Sequence, residues 1–407
     1  MLTFIENLSL HPPMVCWKNR GDSLFCIGGG NSGWLSEEQP KSQLASDLCH
    51  LRKLSPYLKI FGGVDFFYFT SKSSKHCFFI PFILLEEDKR KKRVMTITIS
   101  LVERSGCGQD FLETKMRERF FLLPEGIKGD RDVRHGAQLI EEMLVPSEIQ
   151  WKKQVSVIKE QLDYNNKVVL SRNKVFYFDS FLYSRQVLRN IFASKEYAYI
   201  FYLEFAPKSA FLSISPERLF LLHGDEIETE ALAGTLPREK GNARQLSQSA
   251  KDIREHDIVC KDIESKLQSI CGHNWETVFH QKVMRLKKLF HLYSKFRGVL
   301  HTSVDKSILH LIEHFHPTPA VLGYPYDMAM EAISLIESEM HRGFYAAPVG
   351  MISSVEVEFA VGIRSALFDD NKVIVYGGAG IVEASDIDWE WYETSKKIEN
   401  FSSYLFS

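Results

Sequence analysis

No run in this sequence approaches the ~20 consecutive apolar residues that a membrane-spanning helix requires. The first residues, MLTFIENLSLHPPMVCW, carry an acid at Glu6 and no basic leader, unlike a secretory signal. Neither charge sign dominates: 50 Lys and Arg stand against 52 Asp and Glu, a formal net charge of −2. Nothing therefore draws the whole chain toward nucleic acid or an anionic membrane. Seven cysteines lie at 16, 26, 49, 77, 107, 260 and 271, an odd number with no CxxC pair. That usage fits a reduced compartment better than a disulfide framework. Internal repeats and low-complexity linkers are also missing. These absences predict a soluble, cytoplasmic protein with neither a nucleic-acid nor a membrane partner.

What is present points to a large core. Of 407 residues, 44% are hydrophobic and 29 are Phe, which suits a folded globular chain of one large domain or two to three ordinary ones. Residues 1–136 read as strand-rich. FGGVDFFYF, FFIPFILL and VMTITISLV look like successive strands, with EEDKRKKR (Glu86 to Arg93) as a solvated hairpin loop and a helix from Ser36 to Leu51. CIGGGNSGW (Cys26 to Trp34) has the glycine count of a phosphate loop but neither its Lys-Ser/Thr nor the GxGxxG order, so it reads as a loop.

The pattern changes near residue 137. Ala137 to Leu162 predicts two helices broken at Pro146, and Asn165 to Phe178 a turn and a strand. Ser184 to Phe192 predicts a helix, Tyr197 to Phe205 a strand, and AFLSISPERLFLL two strands around Ser-Pro-Glu. Helices are then predicted over Asn242 to Ser269, Glu276 to Phe296 and Asp327 to Met340, and strands over Tyr345 to Ser353 and Glu356 to Arg364. Strands and helices come in runs rather than in strict alternation. The expected class is α+β, with mostly antiparallel sheets flanked by helices.

The C-terminal stretch VIVYGGAGIVEASDIDWEWYETSKK (Val373 to Lys397) reads as strand, glycine turn and helix, with Asp386 as the N-cap. Glu390, Glu393 and Lys397 share one helical face. Asp252 and Glu255, three apart in KDIREHDIV, repeat the pattern on a second predicted helix. Charges alone fit two solvated faces. Equally, two such helices facing each other would present oxygen ligands to a hard cation such as Mg²⁺, which takes one or two protein carboxylates and keeps waters.

Six segments in this order, GTLPR, KDIREHDIV, HPTPAVLGYP, RGFYAAPVG, EFAVGIRSA and YGGAGIVEASDIDWEWYETSKK, resemble the chorismate-utilising enzymes. This family includes isochorismate, salicylate, anthranilate and aminodeoxychorismate synthases. The match covers about residues 137–407, the expected catalytic region, and extends loosely into 1–136 as part of the same two-layered sandwich. It implies an active site between the layers, chorismate as substrate and Mg²⁺ as cofactor. The resemblance places metal carboxylates at Glu255 and Glu393, with Asp252 and Glu390 beside them. It places the base of the water-adding members at Lys167 of KVVLSR and the general acid at Glu217 of SISPERL. Arg364 and Lys397 would meet substrate carboxylates, with the Gly378 and Gly380 backbone close by. Gly234, Thr235 and Tyr376 would line the substrate. Ala233 stands where aminodeoxychorismate synthases carry a nucleophilic Lys, which disfavours that chemistry.

The resemblance therefore implies the water-adding branch, in which chorismate becomes isochorismate by addition at C2 and loss of the C4 hydroxyl. Salicylate formation, which also eliminates pyruvate, is the reading that Lys167 and Glu217 leave open. A water-adding member needs no glutaminase subunit, so a monomer is expected. His316 is expected to be structural, and His256 to orient the carboxylate of Glu255. Ala347 and Gly377 depart from the family's usual Gly and Ala.

Overall fold

Alternating apolar residues over most of the chain form the strands of one extended antiparallel system. The computed structural model describes residues 12–35, 39–71, 75–91, 94–100, 137–301, 307–337 and 340–407. Ser36 to Glu38 of the first expected helix, Lys92 and Arg93 of the expected loop, and Leu101 and Val102 of the third expected strand lie outside them, as do Ser338 and Glu339 of the Asp327 to Met340 helix. Among the described residues there are eighteen strands and eight α-helices, and every strand pairing is antiparallel. The class is α+β. No helix among them is long and apolar enough to cross a membrane.

The strands form two arms that share β4 (His76–Asp88). In the first arm β4 pairs with β2 (Leu24–Leu35), followed by β1 (Met14–Lys18), β8 (Tyr199–Ala206), β9 (Ser209–Ser215), β17 (Ser365–Asp369), β18 (Lys372–Ile381) and β7 (Lys167–Phe178). The far edge of β7 takes β6 (Leu139–Val145) and β14 (Gly323–Tyr324), while β5 (Val94–Ile99) flanks β4. In the second arm β4 pairs with β3 (Lys59–Val64), then come β15 (Pro348–Ser353), β16 (Glu356–Val361), β10 (Arg218–His223), β11 (Glu226–Pro237), β13 (Leu289–Val299) and β12 (Trp275–Arg285).

One buried cluster draws Trp17, Phe201 and Phe211 from the first arm and Phe61, Met351 and Ala360 from the second, so the arms face each other across a dry core. Helices cover the outer faces. α1 (Lys41–Leu54), α2 (Glu148–Lys159), α5 (Ala250–Cys271), α6 (Ile308–Phe315) and α7 (Tyr326–Ile336) contribute to the largest cluster. α3 (Ser184–Ser194) and α8 (Ile387–Ser402) pack on β8, β9, β17 and β18. The N-terminal strands thus belong to the same sandwich as the rest, through β1 on β8 and β3 on β15.

Several local readings change. The expected strand FGGVDFFYF ends at Val64, and Glu86 to Asp88 of the expected loop continue β4. The glycine-rich segment from Cys26 to Trp34 is strand, not loop, within β2. Gly28 there makes room for Pro81 and Ile83 of the neighbouring strand, which a Cβ would meet at 2.8 Å. Leu139–Val145 is strand rather than helix, because β7 offers an unpaired edge that outweighs the helix propensity of Leu, Glu and Met. Glu276 to Phe296 is the β12–β13 hairpin, not a helix. The predicted helix over Asn242 to Ser269 is two, α4 (Ala243–Gln248) and α5, separated at Ser249, whose side chain caps α5 by accepting from the Asp252 amide.

Candidate active site

A cleft with about 690 Å³ of empty space, measured out to its mouth, opens where β7, β11 and β18 meet α5 and α8. Its walls include Glu217, Glu255, His291, Arg364, Tyr376 and Lys397. Gly378 and Gly380 also line it, in a strand and not in the expected turn: β18 runs unbroken through Gly377, Gly378 and Gly380, paired to β7. These glycines are gaps in a wall. A Cβ on Gly380 would lie 2.5 Å from both Glu255 Oε1 and Lys167 Cε, and one on Gly378 would lie 2.7 Å from the Tyr345 hydroxyl.

Lys167 opens β7 and is fully buried. Its Nζ lies 3.0 Å from Glu255 Oε1 but makes no hydrogen bond of good geometry, so donor capacity is left over. It stands behind Gly380 rather than on the cleft surface. Burial pushes the Glu255 carboxyl up, but Lys167 and Lys251 together outweigh that and hold it below its usual range.

Glu217 lies between β9 and β10, where Pro216 interrupts the strand as the Ser-Pro-Glu reading expects. It is 2% exposed. Burial raises its carboxyl to about 8, against the opposing charge of Lys167; Glu230 raises it further, and Lys397 and Arg20 lower it. The side chain is consequently protonated at neutral pH. Its backbone is held by three residues. The Glu217 amide donates to Ser215 Oγ at 3.1 Å, the Val361 amide donates to the Glu217 carbonyl at 3.1 Å, and Arg20 donates to the Pro216 carbonyl at 2.6 Å.

The acidic helices converge electrostatically. Glu255 and Asp252 are on α5, and Glu390 and Glu393 on α8. Lys251 bridges them, with Nζ 2.5 Å from Glu390 Oε1 and its charge also favoured by Glu393 and Glu255. Lys397 sits 2.7 Å from Glu393 Oε1 and donates to the Gly378 carbonyl at 2.8 Å. Burial raises Asp252 to about 6, and the charges of Glu255 and Glu393 add to it; burial likewise raises Glu390 to about 7, opposed by Lys251. Among the described residues no three His, Cys, Asp or Glu side chains converge at metal-ligand spacing. Glu255 and Glu393 each face a lysine, Lys167 and Lys397; their donors are carboxylate oxygens, the ligand chemistry that a hard cation such as Mg²⁺ takes. α8 is held in place by Arg172 of β7. Its guanidinium donates to Thr394 Oγ1 at 2.8 Å and Ser395 Oγ at 2.6 Å and lies 3.6 Å from the Trp391 ring centre. Asp386 caps this helix by accepting from the Trp389 amide at 2.8 Å, as its sequence position predicts.

At another part of the cleft, β11 bulges at Gly234 (φ 79), so Leu232, Ala233, Gly234 and Thr235 all line it. Thr235 pairs with His291 of β13. Arg364 sits at φ 49, a region that few side-chain-bearing residues adopt, just beyond β16. Arg364 can only donate, so it donates to His291 Nε2 at 2.5 Å; His291 Nδ1 then carries the proton toward Thr235 Oγ1 at 3.0 Å. Burial, followed by the charges of Arg364 and Lys397, keeps His291 neutral. The Arg364 guanidinium is pushed down to about 10 by burial, so an anion in the cleft would find a poorly solvated cation.

Tyr376 stacks on Tyr345 with ring centres 4.9 Å apart and planes 11° off parallel. His291 and Tyr345 escaped the sequence reading; only the register of β11 with β13 brings His291 to Thr235. His316 meets the Phe66 carbonyl at 3.0 Å and is buried and neutral, as a structural residue would be. His256 does not orient Glu255: its Nε2 meets Ser294 Oγ at 2.8 Å.

Residues 17–406 match the family described as "Chorismate binding enzyme". The chain belongs to this family. As a chorismate-binding enzyme it is 34% identical over 287 residues to the chloroplastic isochorismate synthase of Catharanthus roseus, a match of 68% of this chain and 48% of that protein. It is 33% identical over 294 residues to isochorismate synthase MenF of Bacillus subtilis (strain 168), covering 70% of this chain and 60% of that one. The chain thus spans about half the length of the curated relatives it matches. Menaquinone-specific isochorismate synthase MenF of Escherichia coli superimposes with a TM-score of 0.83 at 25% identity, over 99% of this chain and 91% of that chain. Anthranilate synthase component I of Streptococcus pneumoniae TIGR4 shares the fold, with a TM-score of 0.73 at 18% identity over 97% of this chain and 91% of its own.

Proposed function

We propose that this chorismate-binding enzyme is an isochorismate synthase, adding water at C2 of chorismate with loss of the C4 hydroxyl. The observation that carries this reading is the burial, beside one cleft, of an amine that makes no hydrogen bond of good geometry, behind Gly380, and of a carboxyl in the cleft wall that keeps its proton to about pH 8. Lys167 must enter the step as the neutral amine: it then takes a proton from water as the water attacks C2 and returns to the ammonium that Glu255 faces at 3.0 Å. The ring double bonds shift, and Glu217 gives its proton to the departing C4 hydroxyl. Lys167 gains one proton and Glu217 loses one, so one proton return resets the enzyme. Arg364 and Lys397 bind the substrate's carboxylates, with Arg364 turned by its bond to His291. Glu255 and Glu393 would hold Mg²⁺, with Asp252 and Glu390 beside them; bound there, the ion would neutralise and orient the ring carboxylate. Ala233 provides no amine for a covalent intermediate, which speaks against amine-adding chemistry.

The test is product analysis after incubation with chorismate and Mg²⁺. Isochorismate without pyruvate is expected. Stoichiometric pyruvate at neutral pH would make the protein a salicylate synthase instead. Chorismate binding without turnover would make it a silent relative.

A further inference from the structure

The N-terminal hairpin carries a heavily engaged buried cation, and it bonds the residue just before the proposed acid. Arg20 lies in the turn between β1 and β2 and is 7% exposed. It donates to Pro216 O at 2.6 Å, to both carboxylate oxygens of Glu230 at 2.8 and 2.7 Å, and to the Tyr293 hydroxyl at 3.1 Å. The rings of Tyr199 and Tyr293 flank its guanidinium, with centres 5.4 and 5.3 Å away. We infer that Arg20 is a positioning residue for Glu217, fixing the Pro216–Glu217 peptide through the Pro216 carbonyl and anchoring that grip on Glu230 of β11. The inference rests on the reading of Glu217 as the general acid and deepens it.

Three observations support it. Among the described residues, the Glu217 carboxyl makes no hydrogen bond to another protein group, so its direction is set by its backbone. Of the three residues holding that backbone, Ser215 ends β9 of the first arm and Val361 ends β16 of the second. The third, Arg20, arrives from the other end of the chain. Finally, Arg20 spends its fork on one carboxylate and its remaining reach on a carbonyl, a geometry that a lysine cannot reproduce. The charges acting on Glu217 are Lys167 on β7, Glu230 on β11, Lys397 on α8, Arg364 beyond β16 and Arg20 itself. Removing Arg20 deletes one lowering charge and leaves Glu230 less compensated, so the acid should hold its proton to higher pH.

The experiment measures kcat and KM for chorismate with Mg²⁺ from pH 6 to 10, for wild type, Arg20→Ala, Arg20→Lys and Glu217→Gln, alongside melting curves. Arg20→Ala is expected to lower kcat ~10²-fold, the size of a misplacement of about 1 Å, with KM within ~threefold. Its alkaline limb should move up by ~half a unit or more. Arg20→Lys should return the limb to the wild-type position but leave kcat ~tenfold low. The inference is overturned by a folded Arg20→Ala protein with wild-type kcat and limb, or by an activity loss no larger than its loss of folded fraction. It is equally overturned by full rescue of kcat in Arg20→Lys. An active Glu217→Gln enzyme would remove the acid assignment itself and the inference with it; an inactive one alongside a normal Arg20→Ala enzyme would remove the Arg20 role alone.

Discussion

Glu217 and Glu255 face the same cleft, one from the turn between β9 and β10 and the other from α5, and reach opposite proton states. Burial pushes both carboxyls upward. At Glu217 it prevails, because the strongest opposing charge, that of Lys167, is countered by Glu230. At Glu255 it loses, because Lys167 at 3.0 Å and Lys251 add together. The same side chain thus becomes a proton store in one place and an anion in the other. The lesson is that neighbours, and not burial, assign the roles here.

The largest expected effect breaks this comparison at its shared element. Lys167→Ala should lower turnover ~10³-fold or more while chorismate affinity, measured by calorimetry, stays within ~threefold. Normal turnover would remove Lys167 as base. Next comes Gly380→Ala, whose methyl would press on Lys167 and Glu255 together; kcat should fall ~10²-fold. An undiminished kcat would show that the gap in β18 is not needed to set that pair. Glu393→Gln should raise the Mg²⁺ needed for half-maximal rate by ~tenfold or more; an unchanged metal titration would contradict its place as a ligand. The smallest effect sharpens the comparison through stability. Glu217 is raised from an ordinary 4.5 to about 8, so its favourable contribution is complete below about pH 4.5 and is lost as pH rises to about 8. Glu217→Gln escapes that loss. Its melting temperature relative to wild type should therefore climb by roughly 2–4 °C between pH 5 and 9, and a constant gap would refute the raised carboxyl.

The motif residues stood out only through the family resemblance, because an amine in KVVLSR, an acid after Ser-Pro and carboxylates three apart on helices each read, taken alone, as solvated surface; Lys167 and Glu217 are buried instead. The strands and helices that hold them were legible only where period and punctuation agreed. The β12–β13 hairpin was missed for two physical reasons. Its turn is Leu286 to Leu289 around two lysines, with no Gly, Asn or Pro to mark it. Register shifts at Phe279, next to Gln281 at φ 51, also break the two-residue alternation, so the apolar spacing imitates a helix. His291 was hidden by that misreading. The three glycines of β18 read as a turn because glycine's freedom is the commoner reason for its use; here the reason is the space that side chains would take from Ile398, Tyr345 and Lys167.

The sharing of β4 has a further bearing on how the molecule comes apart. Its one edge belongs to β2 and its other to β3 and β5, so neither arm owns it. Stripping away the first five strands would leave β8 and β15 each with a bare hydrogen-bonding edge and would wet the aromatic layer between them. Melting should accordingly proceed as a single concerted event, and a protease should find no durable fragment beginning after the first third of the chain.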